Sequence, residues 1–202
     1  MLLSASRVKK GLLIFFTLNN FKDVLNGYKN IDANTLKKNL IHFLKEIIPV
    51  AEESGVRLAI HPDDPPWPLL GLPRVVSTIN DIEEIINCFD SVSNGITLCT
   101  GSFGAGHFNN VVEITKTFAH RINFTHLRDV SNNESGYFME ENLFEGDVDM
   151  YGVMRELLIE ERKRKRKGRE DWQIPMRPDH GHLMLDDILK AKQIQGIHLL
   201  EE

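Results

Sequence analysis

The stretch Ile60-His61-Pro62-Asp63-Asp64 follows a short apolar run of strand character and opens its polar part with a histidine. Three later segments repeat this order, an apolar run and then residues that bind metals or move protons: Leu98-Cys99-Thr100-Gly101, Thr125-His126-Leu127-Arg128-Asp129 and Arg177-Pro178-Asp179-His180-Gly181. The intervals between the four segments leave room for a helix between successive strands. Functional side chains at the ends of successive strands are typical of an α/β barrel. The pattern therefore predicts an α/β fold with a parallel sheet.

Apolar spacing and breaker residues predict the elements around these segments. Apolar residues three and four positions apart indicate a long helix at 34–53, with a kink or a break near Pro49. Expected helices are 34–53, 80–89 (capped by Asn80 or Asp81), 109–119, 148–167 and 183–193. Expected strands are 56–60, 95–98, 121–127 and 174–176, with a glycine-rich turn at 101–106 and a polar loop at 131–147. Strands that alternate with helices in this way favour a parallel sheet.

The composition is that of one globular domain covering residues 1–202. The chain has 42% hydrophobic and 26% charged residues, and its net charge of −5 gives no reason to expect a nucleic-acid partner. Residues 162–167 are all basic, which could mark a nucleic-acid patch or simply the cationic end of a helix. The second interpretation is favoured, because cations in the last turns of a helix are stabilised by its dipole.

Cysteine content and hydropathy bear on the compartment and on membrane partners. Two cysteines, Cys88 and Cys99, do not make a disulfide framework, which favours a reducing, cytoplasmic setting. No apolar stretch approaches the roughly 18 residues that a membrane-spanning helix needs. We therefore expect a cytoplasmic protein without a membrane partner.

The lead residues of the four segments form a candidate metal-ligand set. His61, Cys99, His126 and Asp179 combine imidazole, thiolate and carboxylate donors, which suit Fe²⁺, Mn²⁺ or Zn²⁺ rather than Ca²⁺ or Mg²⁺. Taken singly, each has an ordinary explanation: a locally hydrogen-bonded histidine, a small buried cysteine, a helix-capping aspartate. Together they indicate a metal site, because the carboxyl ends of parallel strands lie on one side of a sheet.

Charged neighbours of these residues suggest substrate contacts. Arg128 and Arg177 could each bind a carboxylate by two hydrogen bonds, which suits an acidic substrate, or could pair with a nearby aspartate. Asp63 and Asp64 could orient the ring of His61 or cap the loop that follows it.

One further histidine is a candidate for proton transfer. His180 adjoins Asp179, and an imidazole near a metal-bound substrate is a natural acid or base at neutral pH. The alternative is that His180 only supports a ligand.

These segments, taken as strings, resemble the mannonate dehydratase family. The resemblance runs in order from about residue 39 to residue 187 and is carried by His61-Pro62-Asp63-Asp64-Pro65-Pro66-Trp67, Gly71-Leu72-Pro73-Arg74, Cys99-Thr100-Gly101-Ser102, His126-Leu127-Arg128, Gly146-Asp147-Val148-Asp149-Met150 and Met176-Arg177-Pro178-Asp179-His180-Gly181-His182. Long strings in the same order are more specific than single residues. The resemblance therefore supports expectations about the fold, the reaction and the site.

The resemblance implies a xylose-isomerase-like (β/α)₈ barrel. It implies dehydration of D-mannonate to 2-dehydro-3-deoxy-D-gluconate in glucuronate catabolism, with Mn²⁺ or Fe²⁺ as cofactor. It implies that His61, Cys99, His126 and Asp179 hold the metal and that His180 is catalytic. For the acidic sugar substrate we expect contacts from Arg128, Arg177, Asp63 and Asp64.

Two departures from the family pattern qualify these expectations. Residues 1–25 carry no match, and only about four strands can be counted, so we expect the C-terminal half of a barrel. Open sheet edges would then favour a homo-oligomer.

The family's tyrosine after the Asp-His-Gly motif has no counterpart in residues 193–202, so we expect impaired turnover. Two alternatives stay open: another xylose-isomerase-like sugar isomerase or epimerase, and a catalytically inactive metal-binding remnant.

Overall fold

The computed structural model of the chain describes residues 7–8, 12–13, 17–133 and 136–179. Its strands are β1 (Arg7–Val8), β2 (Leu12–Leu13), β3 (Leu58–Ile60), β4 (Asn94–Cys99), β5 (Ile122–Leu127), β6 (Asp129–Asn132), β7 (Phe138–Glu141) and β8 (Met176–Pro178). Its helices are α1 (Leu18–Gly27), α2 (Ala33–Glu53), α3 (Ile79–Asn87), α4 (Thr100–Gly104), α5 (Val111–Phe118) and α6 (Met150–Arg166), with a 3₁₀ turn at Ala119–Arg121.

The central sheet has four parallel strands in the order β3-β4-β5-β8. Helices lie in the connections between these strands, which confirms the predicted α/β class and parallel sheet. The last strand begins two residues later than predicted, at Met176, although the Pro175 carbonyl already accepts a hydrogen bond from the Thr125 N–H at 2.9 Å. Among the strands that the structure describes, β3 and β8 lie at the two edges of this sheet.

Two groups of buried apolar side chains hold the helices on the sheet. The larger group joins β4 and β5 to helices α3 to α6; its members include Ile82, Ile96, Leu98, Phe103, Ile114, Phe118, Ile122, Val153 and Leu157. The smaller group fixes α2 beside α3 through Leu44, Ile48, Val75, Val76 and Ile85. The strand ends that carry the predicted site are thus supported from several elements.

Helices α2 and α3 each differ from the prediction at one point. Helix α2 ends at Glu53 as predicted and continues through Pro49, so of the expected kink or break the break does not occur. Helix α3 begins at Ile79 and not after Asn80 or Asp81, because Thr78 is its cap. The Thr78 hydroxyl accepts a hydrogen bond from the Asp81 N–H, and the Asp81 carboxylate accepts one from the Thr78 N–H, which is a capping box.

Two segments predicted as irregular are ordered elements. The expected glycine-rich turn at 101–106 begins as helix α4, which starts directly after Cys99. The expected polar loop at 131–147 contains the antiparallel hairpin of β6 and β7. The buried carboxylate of Asp129 accepts hydrogen bonds from the N–H groups of Phe144, Gly146 and Val148, so the chain after the hairpin is folded around one side chain.

Two further expectations concern the last predicted helix and the membrane. The helix predicted at 183–193 lies outside the described residues. Within the residues that the structure does describe, no helix combines the length and the apolar character needed to span a membrane.

A buried arginine connects helix α6 to the start of β5. The Arg164 guanidinium donates to the carbonyls of Ala119 and Ile122 at 2.7 and 3.0 Å, and its Nε lies 3.3 Å from the buried carboxylate of Glu160. Removing the cation would leave the two carbonyls without this donor and the buried Glu160 carboxylate with only Lys163, at 3.1 Å, as a cationic partner. A loss of that kind is strongly destabilising.

We therefore expect Arg164→Met to lower the free energy of unfolding by about 3–5 kcal/mol. Urea denaturation followed by circular dichroism measures the change. The control is Arg166→Met two residues along the same helix, where the side chain is exposed and the expected change is within about 0.5 kcal/mol. Equal midpoints for the two variants would contradict the role given to Arg164.

Candidate metal centre

Strand register brings three of the four predicted ligands together at the carboxyl edge of the sheet. Cys99 and His126 are directly paired across β4 and β5, and His61 follows β3, whose last residue pairs with Ile96 of β4. One ligand atom from each of His61, Cys99 and His126 lies within 4.8 Å of the other two. Metal–ligand bonds of about 2.0–2.3 Å span up to roughly 4.6 Å between ligand atoms. The three donors are therefore close to the separation that one ion requires.

The ring of His61 is oriented by its own neighbour in the chain. Its Nδ1 donates to the Pro62 carbonyl at 2.8 Å, since a carbonyl can only accept. A proton fixed on Nδ1 leaves the lone pair of Nε2 for a metal, which is the usual way in which a second contact orients a histidine ligand. The hydrogen bond with Cys99 raises the pKa of His61, with the Pro62 carbonyl adding to the effect against the cost of burial.

Cys99 is buried yet its surroundings favour the thiolate. Burial by itself would raise the pKa of the thiol, but hydrogen bonds from His61 and Ser102 more than offset it and lower the pKa. The Ser102 hydroxyl donates to Sγ at 3.1 Å, and Cys99 occupies the N-cap position of α4. A lowered thiol pKa suits a metal ligand, because the thiolate is the form that binds.

His126 lies between Cys99 and Asp179. Its Nδ1 is 3.5 Å from the Cys99 sulfur, and its Nε2 is 3.0 Å from Asp179 Oδ1. Burial lowers the pKa of His126 in spite of the opposing effect of Asp179, so the neutral ring that can bind a metal is favoured.

Asp179 borders the cluster of His61, Cys99 and His126. Its backbone N–H donates to the Leu127 carbonyl at 2.8 Å, and its carboxylate contacts His126 from the side away from Cys99. A carboxylate on the second nitrogen of a ligating histidine is a common partner in metal sites. The prediction that Asp179 is itself a ligand stays a prediction.

The two predicted arginines differ in how they are placed. Arg128 has a side chain only 13% exposed; its Nη1 lies 2.6 Å from Asp64 Oδ2 and its Nε 3.3 Å from Asp179 Oδ2. Arg177 is 58% exposed, and its Nη2 lies 3.8 Å from Asp179 Oδ1. Both guanidinium groups therefore border the cluster, and Arg177 is the one open to solvent.

Among the described residues, Asp63 is not a member of the group of three. Asp63 Oδ2 accepts hydrogen bonds from the N–H groups of Val75 and Val76 at 2.8 and 2.7 Å and from the Ser77 hydroxyl at 3.1 Å, so it organises the loop before α3. His180, predicted to be catalytic, lies outside the described residues.

Several residues around the site were not predicted from the sequence. The Thr100 hydroxyl contacts both the N–H and the carbonyl of Arg128, at 2.8 and 2.6 Å. Phe138 and Glu140 reach the site from the β6–β7 hairpin. Phe138 and Glu140 alternate with the exposed Met139, which could have predicted a strand, but the segment is too short and polar for this pattern to be clear. Its pairing with β6 and the contacts of Phe138 and Glu140 with Arg128 distinguish it from a loop.

Comparison with known proteins identifies relatives over most of the chain. The family model described as D-mannonate dehydratase (UxuA) matches residues 11–200. A mannonate dehydratase 2 of Agrobacterium fabrum is 53% identical over 167 residues, which covers 83% of this chain and 42% of the relative. The chain spans 42–45% of the length of the curated relatives it matches.

Solved structures show the same likeness in three dimensions. The crystal structure of mannonate dehydratase from Streptococcus suis serotype 2 matches with a TM-score of 0.70 and 39% identity, over 80% of this chain and 44% of that one. A xylose isomerase domain protein from Planctomyces limnophilus shares the fold at 13% identity, with a TM-score of 0.55 over 82% of this chain and 51% of that one. The sheet and its helices thus form part of a xylose-isomerase-like TIM barrel, as expected from the sequence.

The two cysteines should differ in the pH at which they react. Burial raises the pKa of Cys88, whereas the pKa of Cys99 is lowered. Because the thiolate is the reactive form, the alkylation rate of Cys99 should rise with pH at lower values than that of Cys88. Iodoacetamide labelling of Cys88→Ser and Cys99→Ser variants across pH, read by mass spectrometry, measures the two midpoints. A Cys99 midpoint at or above that of Cys88 would contradict this description of the site.

Proposed function

This chain belongs to the D-mannonate dehydratase family, and from that membership we propose that it serves the metal-dependent dehydration of D-mannonate to 2-dehydro-3-deoxy-D-gluconate. The observation that carries the proposal is the cluster of His61, Cys99 and His126 at the carboxyl edge of the parallel sheet. Active sites of TIM-barrel enzymes lie at this edge. A hydro-lyase of this kind would act on an acidic sugar in glucuronate catabolism.

The donor set supports Mn²⁺ or Fe²⁺ as the cofactor. His61 and His126 offer imidazole nitrogens, Cys99 offers a sulfur whose pKa is lowered, and Asp179 supplies a neighbouring carboxylate. When bound, such an ion would stabilise the negative charge that develops next to the substrate carboxylate as the C2 proton leaves. We propose His61, Cys99, His126 and Asp179 as the residues that hold it.

The remaining predicted residues are proposed to bind the substrate and to move its protons. Arg177 is exposed beside the cluster, so its guanidinium is accessible to the substrate carboxylate. Arg128 and Asp64 form an ion pair at the border, and Asp63 shapes the adjoining loop. We propose His180 as the acid or base, since it follows Asp179 directly in the chain.

The setting of the reaction is part of the same proposal. A sugar-acid catabolic enzyme with two cysteines and no disulfide framework is expected in the cytoplasm. We propose a homo-oligomer in which the edges that β3 and β8 form among the described strands are covered.

Mn²⁺ affinity tests the proposed ligand set directly. Isothermal titration of the metal-free chain should show one strong site, and Cys99→Ala should weaken binding by more than about 100-fold, because a ligand contributes more than the outer-shell partners whose loss costs 10–100-fold. Cys88→Ala is the matched control, since Cys88 lies outside the cluster and should leave the affinity unchanged. Equal affinities for the two variants would refute the metal centre.

The reaction itself is tested with a substrate panel. D-mannonate with Mn²⁺ or Fe²⁺ should yield the 2-keto-3-deoxy product, and His180→Gln should lower the rate by about 10²–10⁴-fold. D-xylose and other aldoses should not be isomerised. Isomerisation of an aldose without dehydration of D-mannonate would assign the chain to a sugar isomerase or epimerase instead. Metal binding without any turnover would mark an inactive metal-binding protein.

A further inference from the structure

Arg128 is surrounded by carboxylates from three separate parts of the chain. Its Nη1 lies 2.6 Å from Asp64 Oδ2, and its Nε lies 3.3 Å from Asp179 Oδ2 and 3.7 Å from Glu140 Oε2. Asp64 belongs to the loop after β3, Glu140 to the β6–β7 hairpin, and Asp179 follows β8. One guanidinium therefore connects three segments that meet at the metal centre.

The backbone and the guanidinium of Arg128 make further contacts. The Thr100 hydroxyl accepts a hydrogen bond from the Arg128 N–H and donates one to the Arg128 carbonyl. The Arg128 guanidinium lies 5.6 Å from the centre of the Phe138 ring. Phe138 in turn meets Trp67 edge-on at 5.6 Å between ring centres. A Cβ at Gly101 would lie 2.6 Å from Cγ and Cδ of Arg128, so the stem passes through space that only glycine leaves open.

The positive charge of Arg128 helps to orient the Asp179 carboxylate. The backbone of Asp179 is held by the Leu127 carbonyl, but its side chain is only 9% exposed and points to His126 and Arg128. Two like-charged neighbours, Asp64 and Glu140, approach the same guanidinium. Without the cation, these three carboxylates would repel one another, and Asp179 would be held against the ring of His126 only by that contact and by the exposed Arg177.

We propose that Arg128 is a positioning residue that holds Asp179 against His126 and ties the β6–β7 hairpin and the 61–67 loop to the metal centre. This inference deepens the proposed function and rests on it for the identity of the site. This positioning role is additional to the substrate contact proposed above for Arg128, and Arg177 is the more exposed of the two arginines.

Hydrogen exchange of the metal-free chain tests the positioning without reference to a metal. In Arg128→Met, peptides covering residues 138–141 and 176–179 should exchange at least about tenfold faster, and Arg128→Lys should be intermediate because it keeps the charge without the planar fork. Gly101→Ala should act in the same direction, since it displaces the Arg128 stem and leaves its charge. Arg155→Met, which removes an exposed arginine from α6, is the matched control and should change neither region.

Mn²⁺ titration of the same variants tests the link to the metal centre. Arg128→Met should weaken Mn²⁺ binding by about 10–100-fold, as expected for loss of a residue that orients a ligand, with little change in Tm. Unchanged exchange, or unchanged Mn²⁺ affinity in a native chain that binds Mn²⁺, would overturn the inference and leave the metal centre standing. Faster exchange throughout the chain with a matching fall in Tm would also overturn it, because the role would then be structural. If the native chain binds no Mn²⁺, the proposed function fails, and the exchange data still decide whether Arg128 positions Asp179.

Discussion

The parallel pairing of β4 with β5 is the constraint on which the site depends. Cys99 and His126 are opposite one another in that register, and His126 is in turn opposite Arg177 on β8. A slip of one residue would turn either side chain to the other face of the sheet, because successive residues on a strand point in opposite directions. Buried Ile96, Leu98 and Ile122 oppose such a slip, since each would lose its place in the core. The apolar contacts of the fold therefore determine which polar atoms meet at its edge.

Once these atoms meet, their chemistry is shaped both by one another and by neighbours close in sequence. Ser102 lies one turn after Cys99, and Pro62 directly follows His61. The imidazole of His61 thus acquires its orientation from its own segment, whereas the thiol of Cys99 acquires its lowered pKa first from His61 at the neighbouring strand end and then from Ser102. Each strand end brings a ligand together with part of the environment that the ligand requires, and the sheet only has to place the ends side by side.

The sequence predicted the parts of this arrangement that depend on local pattern. The strand ends at His61, Cys99 and His126 were predicted because short apolar runs followed by polar residues leave a clear signal. The hairpin that carries Phe138 and Glu140 was missed, because its strand is short and polar and is specified by pairing with β6 and by the contacts of Arg128 with Phe138 and Glu140. The cap of α3 was misplaced for a smaller reason: Thr78, Asn80 and Asp81 can all cap a helix, and only the reciprocal bonds of a capping box select Thr78. Side-chain and strand contacts that form only in the folded chain thus account for the miss that matters to the site.

The run of basic residues at the end of α6 has a consequence for how cations reach the protein. In a strand–helix–strand unit the helix returns toward the amino edge of the sheet, so residues 162–167 lie at the far end of α6 from the metal centre. A helix of 17 residues is about 25 Å long, whereas salt at physiological strength screens exposed charges beyond about 8 Å. The positive field of the run has decayed before it reaches the opposite edge. A divalent ion approaching that edge from solvent encounters the charges of the edge itself, which are the carboxylates of Asp64 and Asp179 and the guanidinium groups paired with them. The protein can therefore carry a basic run at one end without that run repelling the metal from the other.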